Sequence, residues 1–565
     1  MVSGLATADA IIIAGFFAVM LGIGLYFGRK MKSMAQFFGG GKQVPWWLGG
    51  ISFYMVSFSA MAFVMHSELV YKYGIVSLVL SWLAVPAAMV SSLLFARRWR
   101  RVAETSPLEY IELRYGVGMR QGLMWLGLPT RLLDDALKLF AIGTVVSAGL
   151  GFPFDQGVIL CAGIILGYTF LGGLWAALVA DCVQFAVLIA AVILLPILAF
   201  NHAGGVAEVM SGLPENFWKI TRPDAGYPAV YLLCYFVLLF LNYSTSWSLA
   251  QRYYSAKDDQ SAVKVGLLVA GLYFVGTPLF YLPAFAAHHF LPGLVNTKEV
   301  YPLICKTVLP IGLLGMIIAA MFSATMSTLA GDCNAMSSVL TNDFCKRLIW
   351  RKASERQLLI VGRINTVVVG IIILGITLVM RSLQESKDLF DTMAKVFGLF
   401  LPPVAIPMLL GMLTPRISAK GGMCALFGGI ASGLSIFALG VYFPWLRSAW
   451  SLTFLTSGMT LALGYLASWI WPDCGERLHA VQLFFERFHG DASSEDAKPD
   501  GATEKSDYAF LGVIAFALAV LGVILIGSVG FTVGIHAGWI SMIVGLGLLL
   551  VAGCVEWIHY RVSRP

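Results

Sequence analysis

Apolar runs long enough to cross a bilayer recur about fifteen times along this 565-residue chain. That recurrence leaves little choice of fold. Hydrocarbon offers no hydrogen bonds to the backbone, so each crossing must satisfy its own amides as a helix. Only 12% of the residues are charged, against roughly 25% in soluble domains. The chain therefore reads as an all-α polytopic membrane protein. Its net charge of +7 does not describe a nucleic-acid face, because the basic residues sit beside apolar runs, as Arg29, Lys30 and Lys32 do, or Arg97, Arg98, Arg100 and Arg101. None of the nine cysteines forms a CxxC pair, which argues against a disulfide framework or a zinc site. The first apolar run lacks a preceding basic segment and reads as a retained span.

The expected spans lie near 8–27, 46–65, 75–96, 120–149, 155–172, 175–200, 228–249, 262–287, 311–340, 357–380, 390–413, 420–443, 448–471, 507–529 and 536–558. Segments 28–45, 97–119, 250–261 and 341–356 are rich in Lys and Arg, while 66–74, 201–227 and 288–310 are poorer. The basic set belongs in the cytoplasm, which places the N-terminus outside and the C-terminal Arg561 and Arg564 inside. A hydrophilic stretch at 472–506, ending in the acidic run GDASSEDAKPDGATEK, reads as a disordered cytoplasmic tether to two terminal helices.

Three spans carry polar groups where lipid would penalise them. Gly315–Arg347 holds Ser323, Thr325, Ser327, Thr328, Asp332 and Asn334. The adjacent hydroxyls of Ser327 and Thr328 are hard, neutral donors suited to a small alkali cation, although Ser and Thr also bond back to their own helix. Trp46–Met65 contains paired glycines with Ser52, Ser57 and Ser59; Ala229–Leu249 contains Asn242, Ser244, Thr245, Ser246 and Ser248. Each opens a set of five spans, 46–200 and 228–413. Matching interrupted helices in two halves point to a transporter binding site near the bilayer midplane; close helix packing around small residues is the structural alternative.

Four local patterns then resemble the sodium:solute symporter family, relatives of the sodium/glucose, proline and sialic acid cotransporters. They are FFGGGKQVPWWLGGIS at 37–52, FLGGLWAALVADCVQF at 170–185, AQRYYSAKD at 250–258 and ATMSTLAGDCNAMSSVLTNDFCKR at 324–347. The resemblance implies a LeuT-type core of two inverted five-helix repeats. The chain then divides into an N-terminal helix and loop (1–45), the repeats (46–200 and 228–413) around an outer loop (201–227), two further helices (414–471), the linker (472–506) and a C-terminal pair (507–565). It also implies a sodium site made of the carbonyls of Met55, Phe58 and Ala324 with the hydroxyls of Ser327 and Thr328, and a sodium release path past Asp181. Members with another sodium place hydroxyls where Ala330 and Gly331 stand here, so one Na+ is expected, with Asp332 as a partial substitute. Na+ is the coupling ion, and no other cofactor is implied.

The solute pocket is expected to draw on Ser57, Ser59, Asn242, Tyr243, Ser246 and Trp247, with Tyr243 or Trp247 as an aromatic gate. Sugar carriers of the family carry polar residues about where Met61 and Ala62 stand here, and the run GLLVAGLYFVGTPLFYLPAF lacks the Lys some of them use. An acidic or zwitterionic solute is thus expected, with a neutral sugar as the alternative. Ionisable residues within spans are functional candidates. Arg131, Asp134, Asp135 and Lys138 share one span, and the i,i+4 spacings pair Arg131 with Asp135 and Asp134 with Lys138; Arg131–Asp135 is the expected structural ion pair, while Lys138 and Lys395 are candidate solute contacts. His66, Glu68, Tyr71 and Tyr73 are candidate outer gate residues. The resulting expectation is a sodium-coupled importer of a small organic solute in the inner membrane, acting as a monomer. A solute sensor on a transporter scaffold is the rival from another class. No HExxH, Walker A or GxSxG motif points to an enzyme.

Overall fold

The structure is a computed structural model that describes residues 7–29, 33–102, 105–150, 153–309, 313–383, 389–489, 509–528 and 535–563. Lys30, Lys32, Arg564 and the acidic run of the expected tether lie outside these residues. The principal helices are α1 (Thr7–Gly28), α2 (Trp46–Val56), α3 (Ala60–Tyr73), α4 (Ile75–Trp82), α5 (Val117–Leu150), α6 (Phe154–His202), α7 (Ala229–Thr245), α8 (Trp247–Tyr254), α9 (Asp259–Phe290), α10 (Leu313–Val339), α11 (Glu355–Leu383), α12 (Leu389–Leu413), α13 (Ala419–Leu439), α14 (Ala449–Ile470), α15 (Glu476–His489), α16 (Ala509–Ser528) and α17 (Ile535–Ser563). Among the described residues there is no extended strand.

Among the described residues, ten helices are long and apolar enough to cross a membrane, or eleven when α7 and α8 count as one bent span. The expected fifteen are not reached on that measure. The remaining expected spans fall on the α2–α3 pair, which is broken, on α5, which carries Arg131, Asp134, Asp135 and Lys138, on the short apolar helix Phe154–Gly167 and on α14. The helix with the polar hydroxyls is the centre of the bundle. Its most apolar window is 94% buried, against 28% for α11, α13 and α17. A helix surrounded by protein can carry hydroxyls and a carboxylate, since neighbouring helices replace lipid as its solvent.

Glycine decides one corner. Gly173 turns the two halves of α6 with φ +58°, and a Cβ there would stand 2.7 Å from the Phe37 carbonyl oxygen. Gly173→Ala should therefore cost about 1–3 kcal/mol of backbone strain before any clash is relieved. Thermal unfolding of the purified protein reads that loss directly.

The start of the expected tether is ordered instead. Residues 476–489 form α15, whose Phe484 is buried against the Tyr110 ring, while the Phe488 carbonyl accepts from Arg101 at 2.8 Å. The polar side of this helix hid an apolar face. α16 and α17 pack on each other, and Phe510 of α16 meets the Trp47 and Trp175 rings.

Candidate ion and solute site

The first break lies between α2 and α3. Residues Ser57–Ser59 leave the helix, and α10 passes beside them. Thr328 Oγ1 lies 2.9 Å from the carbonyl oxygens of Phe58 and Ala324 and 3.4 Å from that of Met55. A threonine on a helix ordinarily donates to the carbonyl four residues back, here Ala324. One hydroxyl proton cannot serve three acceptors, so two of these contacts set oxygen against oxygen. All of these residues are buried, as is Ser327, whose Oγ has no hydrogen-bond partner. Four converging oxygens with an unpartnered hydroxyl alongside form a donor set that fits a small cation. Thr325 Oγ1 accepts from the Ala60 amide at 3.0 Å and fixes the start of α3 against α10.

Asp181 stands beside Ser327 without a well-formed hydrogen bond to it. It accepts from Ser52 Oγ, and Arg252 Nη2 lies 3.7 Å away, with both charged side chains fully buried. Asp181 is therefore not a solvated carboxylate at the membrane interface.

The second break is at Ser246, where α7 and α8 diverge by 53°. A cavity opens between the two breaks. Ser57, Phe58, Ser59, Asn242, Tyr243, Ser246 and Thr328 line it, together with His66, Ser248, Tyr273, Tyr281 and the charged Asp134, Lys138 and Asp332. The converging oxygens and the cavity are thus continuous through Thr328. Tyr273 Oη donates to the Ser57 carbonyl at 3.1 Å and lies 3.0 Å from Ser57 Oγ, so it holds the first break open. Tyr273 and Tyr281 were not anticipated. Their i,i+8 spacing on α9 was the available signal, since it sets two phenols on one face.

Several expected placements are corrected. Arg131 does not pair with Asp135. Its guanidinium donates to Ser246 Oγ at 3.1 Å and to the Thr245 carbonyl at 3.2 Å, and stacks 4.8 Å over Trp247. Asp135 goes to Lys138, whose Nζ sits 2.7 Å from Asp134, 3.0 Å from Asp135 and 2.9 Å from Asp332. Helical spacing allowed either partner, and the carboxylate arriving from α10 drew the shorter ammonium. Trp247 is fully buried beneath Arg131 and close to Gly127, away from the cavity, and so is no gate. Lys395 is half-buried on α12 and does not line the cavity, although Met393 and Phe397 do.

The outer candidates are tied to loops rather than open. Glu68 pairs with Lys72 at 2.6 Å and accepts from Thr297 at 2.7 Å; Tyr71 Oη donates to the Leu291 carbonyl; Arg222 stacks 5.9 Å from the Tyr73 ring. Only His66 reaches the cavity, with Nδ1 2.9 Å from Ser81 Oγ.

The chain resembles known transporters along most of its length. It is 26% identical over 490 residues to the sodium/sialic acid symporter NanT of Aliivibrio fischeri, covering 82% of this chain and 93% of that protein. It is 26% identical to the sodium/glucose cotransporter 2 of Rattus norvegicus, covering 76% and 71%. The solved structure of a Na+-coupled sialic acid symporter in a substrate-bound outward-open state superposes with a TM-score of 0.74 at 21% identity, over 83% of this chain and 98% of that one. That likeness establishes the fold. The sequence model of the sodium:solute symporter family matches residues 37–429, and the chain accordingly belongs to that family of integral membrane proteins.

Proposed function

We propose that the protein imports a small polar organic solute together with Na+ by alternating access, with one Na+ held by the carbonyls of Met55, Phe58 and Ala324 and the hydroxyls of Ser327 and Thr328. The observation that carries this reading is the convergence of three carbonyls on a single Thr328 hydroxyl. Sodium there would bridge α2, the break and α10, favouring the arrangement in which these elements meet; coupling requires such a difference between conformations. Asp181, one side chain deeper, is suited to receive the ion on its way inward. With the basic loops in the cytoplasm, the N-terminus is outside and the C-terminus inside.

The cavity suits an acidic or zwitterionic solute. Hydroxyl and amide groups of Ser57, Ser59, Asn242 and Ser246 line it beside side chains of both charges. A zwitterion is the better match, because Lys138 is already surrounded by carboxylates. Uptake by proteoliposomes, screened across amino acids, sugar acids, monocarboxylates and neutral hexoses, tests both parts. Uptake should fall to background when choline replaces Na+; undiminished uptake in choline would refute the sodium reading. Competition by hexoses alone would refute the solute class.

A further inference from the structure

We propose that Arg114 and Arg477 bind a phosphate group at the membrane surface that carries the basic loops, so that the anion bridges α15 and the short helix Glu109–Tyr115. Arg114, on that short helix, is fully buried. Its Nη2 donates to the Thr414 and Ile417 carbonyls, at 3.1 and 2.5 Å, just beyond the end of α12. Its Nε and Nη1 are buried with no hydrogen-bond partner among the described residues. The Tyr115 and Phe485 rings, 4.7 and 5.7 Å from the guanidinium, offer it no acceptor in their place. Arg477, in the first turn of α15, leaves Nε and Nη2 in the same condition. Leaving a buried charged donor without an acceptor is costly, and four such donors meet here.

One carboxylate stands between the two arginines. Asp473 lies 3.8 Å from Arg114 Nη1 and 3.5 Å from Arg477 Nε, beyond hydrogen-bond reach of both. Its Oδ1 accepts instead from the Ala419 amide at 3.1 Å, at the start of α13. Two guanidinium groups against one carboxylate leave one positive charge, and α13 directs the positive end of its dipole toward the same point. The flanking side chains do not reverse this balance. Arg416 and Lys420 are basic, Glu476 is acidic and exposed, and Glu112 of the short helix is held by Arg120 and Arg347.

The donor geometry selects the class of anion. Nε and Nη2 form one edge of a guanidinium, whose parallel N–H bonds grip two oxygens of a phosphate. A phosphate group has an oxygen left for Arg114 after meeting that edge, whereas a carboxylate uses both of its own there. Gly116, with φ +95°, keeps the approach open, since an added Cβ would stand 3.4 Å from Arg477 Nη1 and Nη2. A phospholipid headgroup and free phosphate share this chemistry. Trp469 and Trp471, 82% and 48% exposed at the end of α14, mark the depth of a bilayer interface, which both can reach.

The Arg477 side chain is 39% exposed, so an arginine-specific dicarbonyl can modify it in the delipidated full-length protein. Peptide mass spectrometry then reads the site without a variant. Inorganic phosphate at about ten times its dissociation constant should slow modification of Arg477 about tenfold. The exposed Arg356 on α11 should react as before, and chloride at equal ionic strength should protect neither. Phosphatidylglycerol in mixed micelles separates the sources. Protection by the lipid alone assigns a headgroup, by inorganic phosphate alone the free anion, and by both the phosphate group in either form. Protection by neither, or equal protection by chloride, would overturn the proposal. The protecting ligand should also raise the unfolding temperature of the wild type and not of Arg477→Gln, and an equal rise in both would overturn it as well. Should Arg477→Gln not fold, the modification of the wild type decides.

Discussion

Thr328→Val should raise the Na+ concentration for half-maximal uptake about tenfold or more, equivalent to at least ~1.4 kcal/mol of lost ion binding. Valine keeps the shape of threonine and removes the oxygen on which the Met55, Phe58 and Ala324 carbonyls converge. Because Thr328 is buried and its methyl packing survives, abundance in the membrane should change little. Ser327→Ala should shift the same curve in the same direction, since its Oγ has no hydrogen-bond partner to lose. Wild-type sodium dependence in both variants would make these residues packing groups and the site assignment wrong. Sodium titration of uptake, normalised to immunoblotted protein, separates the outcomes.

The second large effect belongs to Lys138. Its ammonium is the shared partner of Asp134, Asp135 and Asp332. Lys138→Met leaves those carboxylates without their central cation, and breaking a buried pair in this way costs about 3–5 kcal/mol. Folded protein in the membrane should fall sharply, and a second change, Asp332→Asn, should recover part of it by removing one stranded charge. The pairwise interaction is then read from the double-mutant comparison. Normal abundance of Lys138→Met with lost uptake would instead make Lys138 a solute contact whose charge the fold does not need. A neutral change at Arg131 should not rescue Asp135→Asn, because Arg131 spends its donors on Ser246 and Thr245.

What the sequence by itself determined follows from one-dimensional constraints. A bilayer demands helices of a certain length, so the membrane class was legible from apolar runs. Glycine, serine and asparagine clusters at 46–65 and 229–249 located both breaks, because backbone that leaves the helix at depth needs small or polar residues around it. The Ser327–Thr328 pair stood out as adjacent hydroxyls, and the fold brings Thr328 to the Met55, Phe58 and Ala324 carbonyls that the family resemblance implied.

The tertiary structure alone decided how charges pair and which side chains meet the cavity. On one helix Lys138 lies within reach of Asp134 and Asp135, and Arg131 within reach of Asp135, so spacing cannot choose among them. The choice was made by Asp332, 194 residues further along the chain, which places a third carboxylate against Lys138. Similarly, Trp247 and Tyr243 are near neighbours in sequence, yet the 53° bend at Ser246 sends Tyr243 to the cavity and Trp247 beneath Arg131. A change of direction in the backbone redirects every side chain after it, and that angle is set by the helices packed around the break.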